Sequence, residues 1–142
     1  MRLLTFLGAC TPWVHARPQY SGGRYANRGA IAVLNQNGEI STWGQSASGG
    51  TGAPTDAGYT TVYSSGSAFA ALKQQDGSIS AWGSNDSGGT GAPTDAGYTT
   101  IFSTESAFAA LKADGSITAW GPNDTGGQGE PTGSGYISIF ST

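Results

Sequence analysis

Residues 69–83 read FAALKQQDGSISAWG, and nearly the same phrase returns as FAALKADGSITAWG at 108–121. An apolar run, an Asp-Gly pair and a second run ending in Trp-Gly spell a β-hairpin, because Asp-Gly supplies the backbone freedom that a tight turn needs. A looser copy, IAVLNQNGEISTWG, occupies 31–44. The pairs Asn37-Gly38, Asp76-Gly77 and Asp114-Gly115 predict type I′ turns. Upstream of the later hairpins stand YTTVYS (59–64) and YTTIFS (98–103), β-branched and aromatic as strands prefer. The unit therefore reads as three strands, 59–64, 67–73 and 78–83 in the middle copy.

The units recur at a fixed period. Trp43, Trp82 and Trp120 lie 39 and 38 residues apart, each followed by glycine. Between them GGTGAPTDAGYTT occurs letter for letter at 49–61 and 88–100, and GGQGEPTGSGYIS follows at 126–138. Self-similarity at this period marks a stacked architecture in which one thin unit cannot bury its own apolar sides. Ile79 and Ala81 oppose Trp82 across the strand, and strict alternation predicts Tyr59 and Tyr63 on one face with Val62 on the other. Apolar groups on both faces require neighbours on both sides.

The expected fold is thus all-β, a partial β-propeller of about three stacked three-stranded antiparallel blades, with a β-solenoid-like stack as the alternative. The repeats divide as 29–66, 67–105 and 106–142, and YISIFS at 136–141 matches the first strand of a further blade. Residues 1–28 read as a lead-in or an eroded blade. Trp43, Trp82, Trp120, Leu72, Leu111, Phe69 and Phe108 are the expected core.

Composition narrows the function. The chain has 142 residues, of which 24 are glycine and only 11% are charged. Arg2, Arg17, Arg24 and Arg28 stand in the first 28 residues with no acid, whereas the rest sets Lys73 and Lys112 against all nine acids, a balance of 2 − 9 = −7. Such a body repels phosphate backbones, so nucleic acid is not an expected partner. The lone Cys10 allows no internal disulfide. MRLLTFLGAC (1–10) has a faint likeness to a secretory signal, and no run approaches the length of a membrane span.

The motif at Ala110–Gly126, A-L-K-x-D-G-x-I-x-A-W-G-x-N-x-x-G, resembles the repeat of the regulator of chromosome condensation family. The 38–39-residue period with Pro-Thr in the loop is similar to its short-repeat branch, typified by β-lactamase inhibitor protein II. The resemblance covers 29–142 and also sets Tyr25 where Tyr63, Phe102 and Phe140 stand. It implies a propeller used as a binding platform, with partner anchors between the first and second strands of each blade. The matching positions here are Gly29, Ser67 and Ser106, too small to serve as buried aromatic anchors.

The remaining candidates weaken catalysis. The only histidine, His15, lies outside the repeats, and nothing in the sequence orients it against Cys10. SNDSGGTG (84–91) and PNDTGGQG (122–129) each offer one Asp, far short of the six to eight oxygens of a calcium site. Turn chemistry accounts for them. The expectation is a non-catalytic module for protein–protein interaction, without cofactor, presenting Ser67, Ser106, Asn85, Asp86, Asn123 and Asp124 to its partner. A second copy that completes the ring is one such partner. The alternatives are a carbohydrate-binding propeller and a structural repeat of a larger, adhesin-like surface protein.

Overall fold

The computed structural model describes residues 25–141. The signal-like opening, Cys10, His15, Arg2, Arg17, Arg24 and Thr142 lie outside the described residues. The described chain is all-β, with no α-helix, and forms three antiparallel sheets. The first pairs β1 (Ala30–Leu34) with β2 (Ile40–Gly44). The second orders β3 (Tyr59–Ser64), β4 (Ala68–Lys73) and β5 (Ile79–Gly83), and the third orders β6 (Tyr98–Ser103), β7 (Phe108–Lys112) and β8 (Ile117–Trp120).

Alternation along β4 assigns each side chain to one neighbour. Phe69 and Ala71, with Trp82, face the first sheet and pack with Ala30, Ala32, Leu34 and Ile40. Ala68, Ala70 and Leu72, with Ile79, face the third sheet and pack with Ile101, Phe108, Ala110 and Trp120. The alanines let the sheets approach, while the aromatic partners across each hairpin, Phe69–Trp82 and Phe108–Trp120, stack with ring centroids 5.3 Å apart. Each tryptophan is then capped by the loop of the preceding unit: Trp82 Nε1–H donates to the Gly49 carbonyl at 3.1 Å and Trp120 Nε1–H to that of Gly88 at 3.0 Å.

The sheets converge like wedges. Stacked sheets lie about 10 Å apart, so the first and third members of a straight stack could not touch. Here Tyr25 N–H donates to Ser103 Oγ at 3.3 Å, and Arg28 pairs with Glu105 at 2.6 Å, both across the second sheet. These contacts lie beside β3 and β6, the first strands of their sheets, which is the axis side. This is a partial propeller, not a solenoid.

Four expectations are corrected. First, the hairpins form where expected but without type I′ turns, because among the described residues only glycines have positive φ. Gly38 follows a tight turn closed by its own N–H to the Asn35 carbonyl, and in the second hairpin Gly77 N–H reaches Lys73 O. Loops longer than two residues carry one left-handed residue instead of two. Second, Tyr59 and Tyr63 face opposite ways: the register shifts between Tyr59 and Thr61, and this bulge turns Tyr59 toward the first sheet while Tyr63 faces the third.

Third, the first sheet has two strands among the described residues, and 136–141 runs without a ladder. That segment lies beside the third sheet, with Ser141 Oγ–H donating to the Ser103 carbonyl at 2.9 Å. Fourth, Trp43 is not core. It is 51% exposed where Trp82 and Trp120 are each 4% exposed, because no earlier Gly-Gly loop among the described residues folds over it. Trp82, Trp120, Leu72, Leu111, Phe69 and Phe108 are buried as expected.

Candidate functional site

One face of the stack gathers the six loop residues expected to meet a partner, Ser67, Ser106, Asn85, Asp86, Asn123 and Asp124. After each Trp-Gly the chain makes a short 3-10 turn, Ser46–Ser48, Asn85–Ser87 and Asn123–Thr125. A left-handed glycine closes each turn, with φ of 88° at Gly49, 81° at Gly88 and 93° at Gly126. Beside each turn lies the connection between the first and second strands. Gln45 N–H donates to Gly29 O at 2.8 Å, and Ser84 N–H to Ser67 O at 2.9 Å.

A buried or half-buried polar side chain ties the two loops together in every unit. Asn27 Nδ2–H donates to Ser48 O, Ser65 Oγ–H to Ser87 O and Thr104 Oγ1–H to Thr125 O, at 2.9, 2.7 and 3.1 Å. Asn27 Oδ1 and Thr104 Oγ1 also accept backbone N–H groups of their own connections. The connections then join across blades, Arg28 N–H to Gly66 O and Gly66 N–H to Glu105 O. The sequence shows only a small hydrogen-bonding residue at these matched positions. Its role follows from the fold.

Asn85, Asp86, Asn123 and Asp124 are exposed on the turn tips, and Ser67 and Ser106 are half-buried behind them. Asp86, Ser106 and Asp124 line one shallow cavity of about 300 Å³ with Pro122 and Thr125. An open groove of about 450 Å³ beside it adds Asn85 and Gln128 around the edge of Trp120. Ser67 takes the place of Ser106 one blade earlier, and Asn123 tops the same turn as Asp124. The rim carries Asp86, Asp124 and Glu105 against Arg28, so its outward charge is acidic. Such a surface accepts hydrogen bonds from basic groups at fixed spacing.

The opposite face holds a second repeated cluster. Lys73 pairs with Asp56 and its ammonium lies 5.0 Å from the Tyr59 ring centroid; Lys112 pairs with Asp95 and lies 4.9 Å from that of Tyr98. Tyr59 Oη–H donates to Asp56 at 2.9 Å, and Tyr98 Oη–H to Asp95 at 2.8 Å. The lysine bond holds Asp56 and Asp95 below the ordinary 3.8 and Lys73 and Lys112 above the ordinary 10.5, while burial pushes both tyrosine hydroxyls up. The signal was present as Asp and Lys 17 residues apart in two copies. The third copy has Gly133 for the aspartate and the first has Asn35 for the lysine, so among the described residues only the second and third sheets carry the cluster.

Among the described residues no group of three or more His, Cys, Asp or Glu side chains gathers as a metal site would require, and no helix is long and apolar enough to cross a membrane. Comparison with protein-family models and with curated proteins finds no match to this chain.

Proposed function

We propose that the chain is a non-catalytic propeller-repeat module of the regulator of chromosome condensation type, and that it binds protein. The observation that carries this reading is the rim: three copies of one turn are held at repeat spacing by the same side-chain bond, and two of them display Asn85, Asp86, Asn123 and Asp124 on a common face. Tips fixed by rigid strands can hold a partner's groups in register, which mobile loops do less well. Acidic tips select a partner surface bearing Lys or Arg, and a second copy of the chain is a further protein partner for the uncovered sheet faces.

The test is a charge reversal, Asp86→Lys with Asp124→Lys, after partners of the wild-type chain are captured by cross-linking and identified. The reading expects specific partners whose binding falls at least tenfold in the double variant and weakens with salt. Full binding by the variant removes the rim from the interface.

One observation favours a second reading. Trp43 is exposed within an open groove of about 440 Å³ that also presents Asn27, Arg28 and Gln45, and an aromatic face ringed by polar groups suits a sugar. Binding on a glycan array that Trp43→Ala abolishes would favour it.

A further inference from the structure

The two interfaces between blades are built from one plug and one socket, and the described chain carries one of each unused. The plug is the cross-strand pair of a hairpin, Phe69 with Trp82 or Phe108 with Trp120. The socket is a pair of alanines of the preceding blade, Ala30 and Ala32 or Ala68 and Ala70, and the first glycine of its Gly-Gly loop. A Cβ placed on Gly49 would lie 2.8 Å from Phe69 and one on Gly88 would lie 2.7 Å from Phe108, so each glycine is where the plug seats. The tryptophan N–H completes the contact by donating to that glycine's carbonyl.

At one end the equivalent plug is Ile31 opposite Trp43, and both are exposed. At the other end the equivalent glycine is Gly126, exposed, with nothing within 4 Å of the position a Cβ would take. Beside it a cavity of about 330 Å³ opens between Ala107 and Ala109, at the start of β7, and Ile139 and Phe140 of the final segment. Phe140 is 92% exposed, whereas Tyr63 at the same place in its unit is 8% exposed under the third sheet. What is missing at each end is what the other end supplies.

We infer that two copies of this chain join end to end, each seating its Ile31–Trp43 plug in the other's Gly126 socket, to close one ring. This deepens the protein-binding reading, on which it rests for the identity of the sheet faces as contact surfaces. The three sheets among the described residues of each of two copies make six blades, within the four to eight of closed propellers. Two identical contacts formed at once favour closure over an open chain, because the second forms within the same assembly. In the seated state Trp43 Nε1–H donates to the partner's Gly126 carbonyl, as Trp82 does to Gly49.

Sedimentation equilibrium and size-exclusion chromatography with light scattering test the inference on the full chain at micromolar concentration. The expected wild-type mass is twice that of the chain. Trp43→Glu spoils the plug and Ala109→Glu the socket, and each variant is expected to sediment as a monomer with its near-ultraviolet dichroism retained. Mixed together they are expected to form a heterodimer, since one good plug and one good socket remain. Light scattering overturns the inference if the wild type is monomeric, if it grows into polymers, or if either variant stays dimeric. A mixture that yields no heterodimer overturns it too, and either variant losing its dichroism is replaced by Trp43→Ala or Ala109→Ser, judged by the same masses. A monomeric wild type that still binds a partner through Asp86 and Asp124 would sink this inference alone, whereas full partner binding by the Asp86→Lys, Asp124→Lys variant with an intact dimer would sink only the rim.

Discussion

At the scale of single residues, glycine is where the chain admits its neighbour. Gly88 needs a positive φ and also lies under Phe108, while Gly129 has φ of 87° and open space around it. Alanine at either position incurs about 1–2 kcal/mol for the left-handed backbone. Gly88→Ala adds an overpacking cost of roughly 1–3 kcal/mol against the aromatic ring. Urea unfolding of the two variants should separate them by that difference, with Gly88→Ala the weaker. Equal losses would mean that Phe108 does not seat on this loop.

Tyr98 offers a second test at this scale. Its hydroxyl donates to Asp95 and meets Thr118 at 2.9 Å. Tyr98→Phe keeps the ring and should cost about 1 kcal/mol by the same unfolding measurement. The Asp–Lys pairs give a pH dependence whose sign is fixed. Asp56 and Asp95 titrate below the ordinary 3.8 in the folded chain, so their contribution is present above that value and fades as pH falls through the lowered one. Solvent screens both pairs, so their contribution is small. The urea midpoint should therefore drop on acidification below 3.8, and the drop should be shallower in Asp56→Asn with Asp95→Asn.

At the scale of strands and turns, the hairpins were legible because Asp-Gly and Asn-Gly sit between apolar runs, and β3 appears at 59–64 as read. β4 and β5 begin one residue later than read, at Ala68 and Ile79. The bulge was not legible. Alternation assumes one residue per pleat, and Thr60, whose hydroxyl reaches the Leu72 carbonyl at 3.3 Å, breaks that count without any glycine to announce it. Turn type was misread for a related reason: the dipeptide gives glycine its left-handed place, but loop length decides whether Asn or Asp must join it. Of the candidate site, the tips at Asn85, Asp86, Asn123 and Asp124 were visible as turn formers. The ties through Asn27, Ser65 and Thr104 were not, since their partners lie about 20 residues away.

At the scale of the whole molecule, repetition makes the interior predictable and the ends exceptional. Trp43 ends a hairpin phrase like that of Trp82, and its exposure follows from its place in the stack. Residue-level reading cannot distinguish a first blade from a second one. The wedge arrangement is the claim on which plug, socket and rim all depend, and paired spin labels measure it directly. In a Cys10→Ser background diluted with unlabelled chain, one pair replaces Arg28 and Glu105 near the axis, and the other replaces Ser46 and Asn123 on the outer turns. Pulsed electron resonance should give a clearly shorter distance for the inner pair than for the outer pair. Equal distances for both pairs would describe a parallel stack and contradict the propeller.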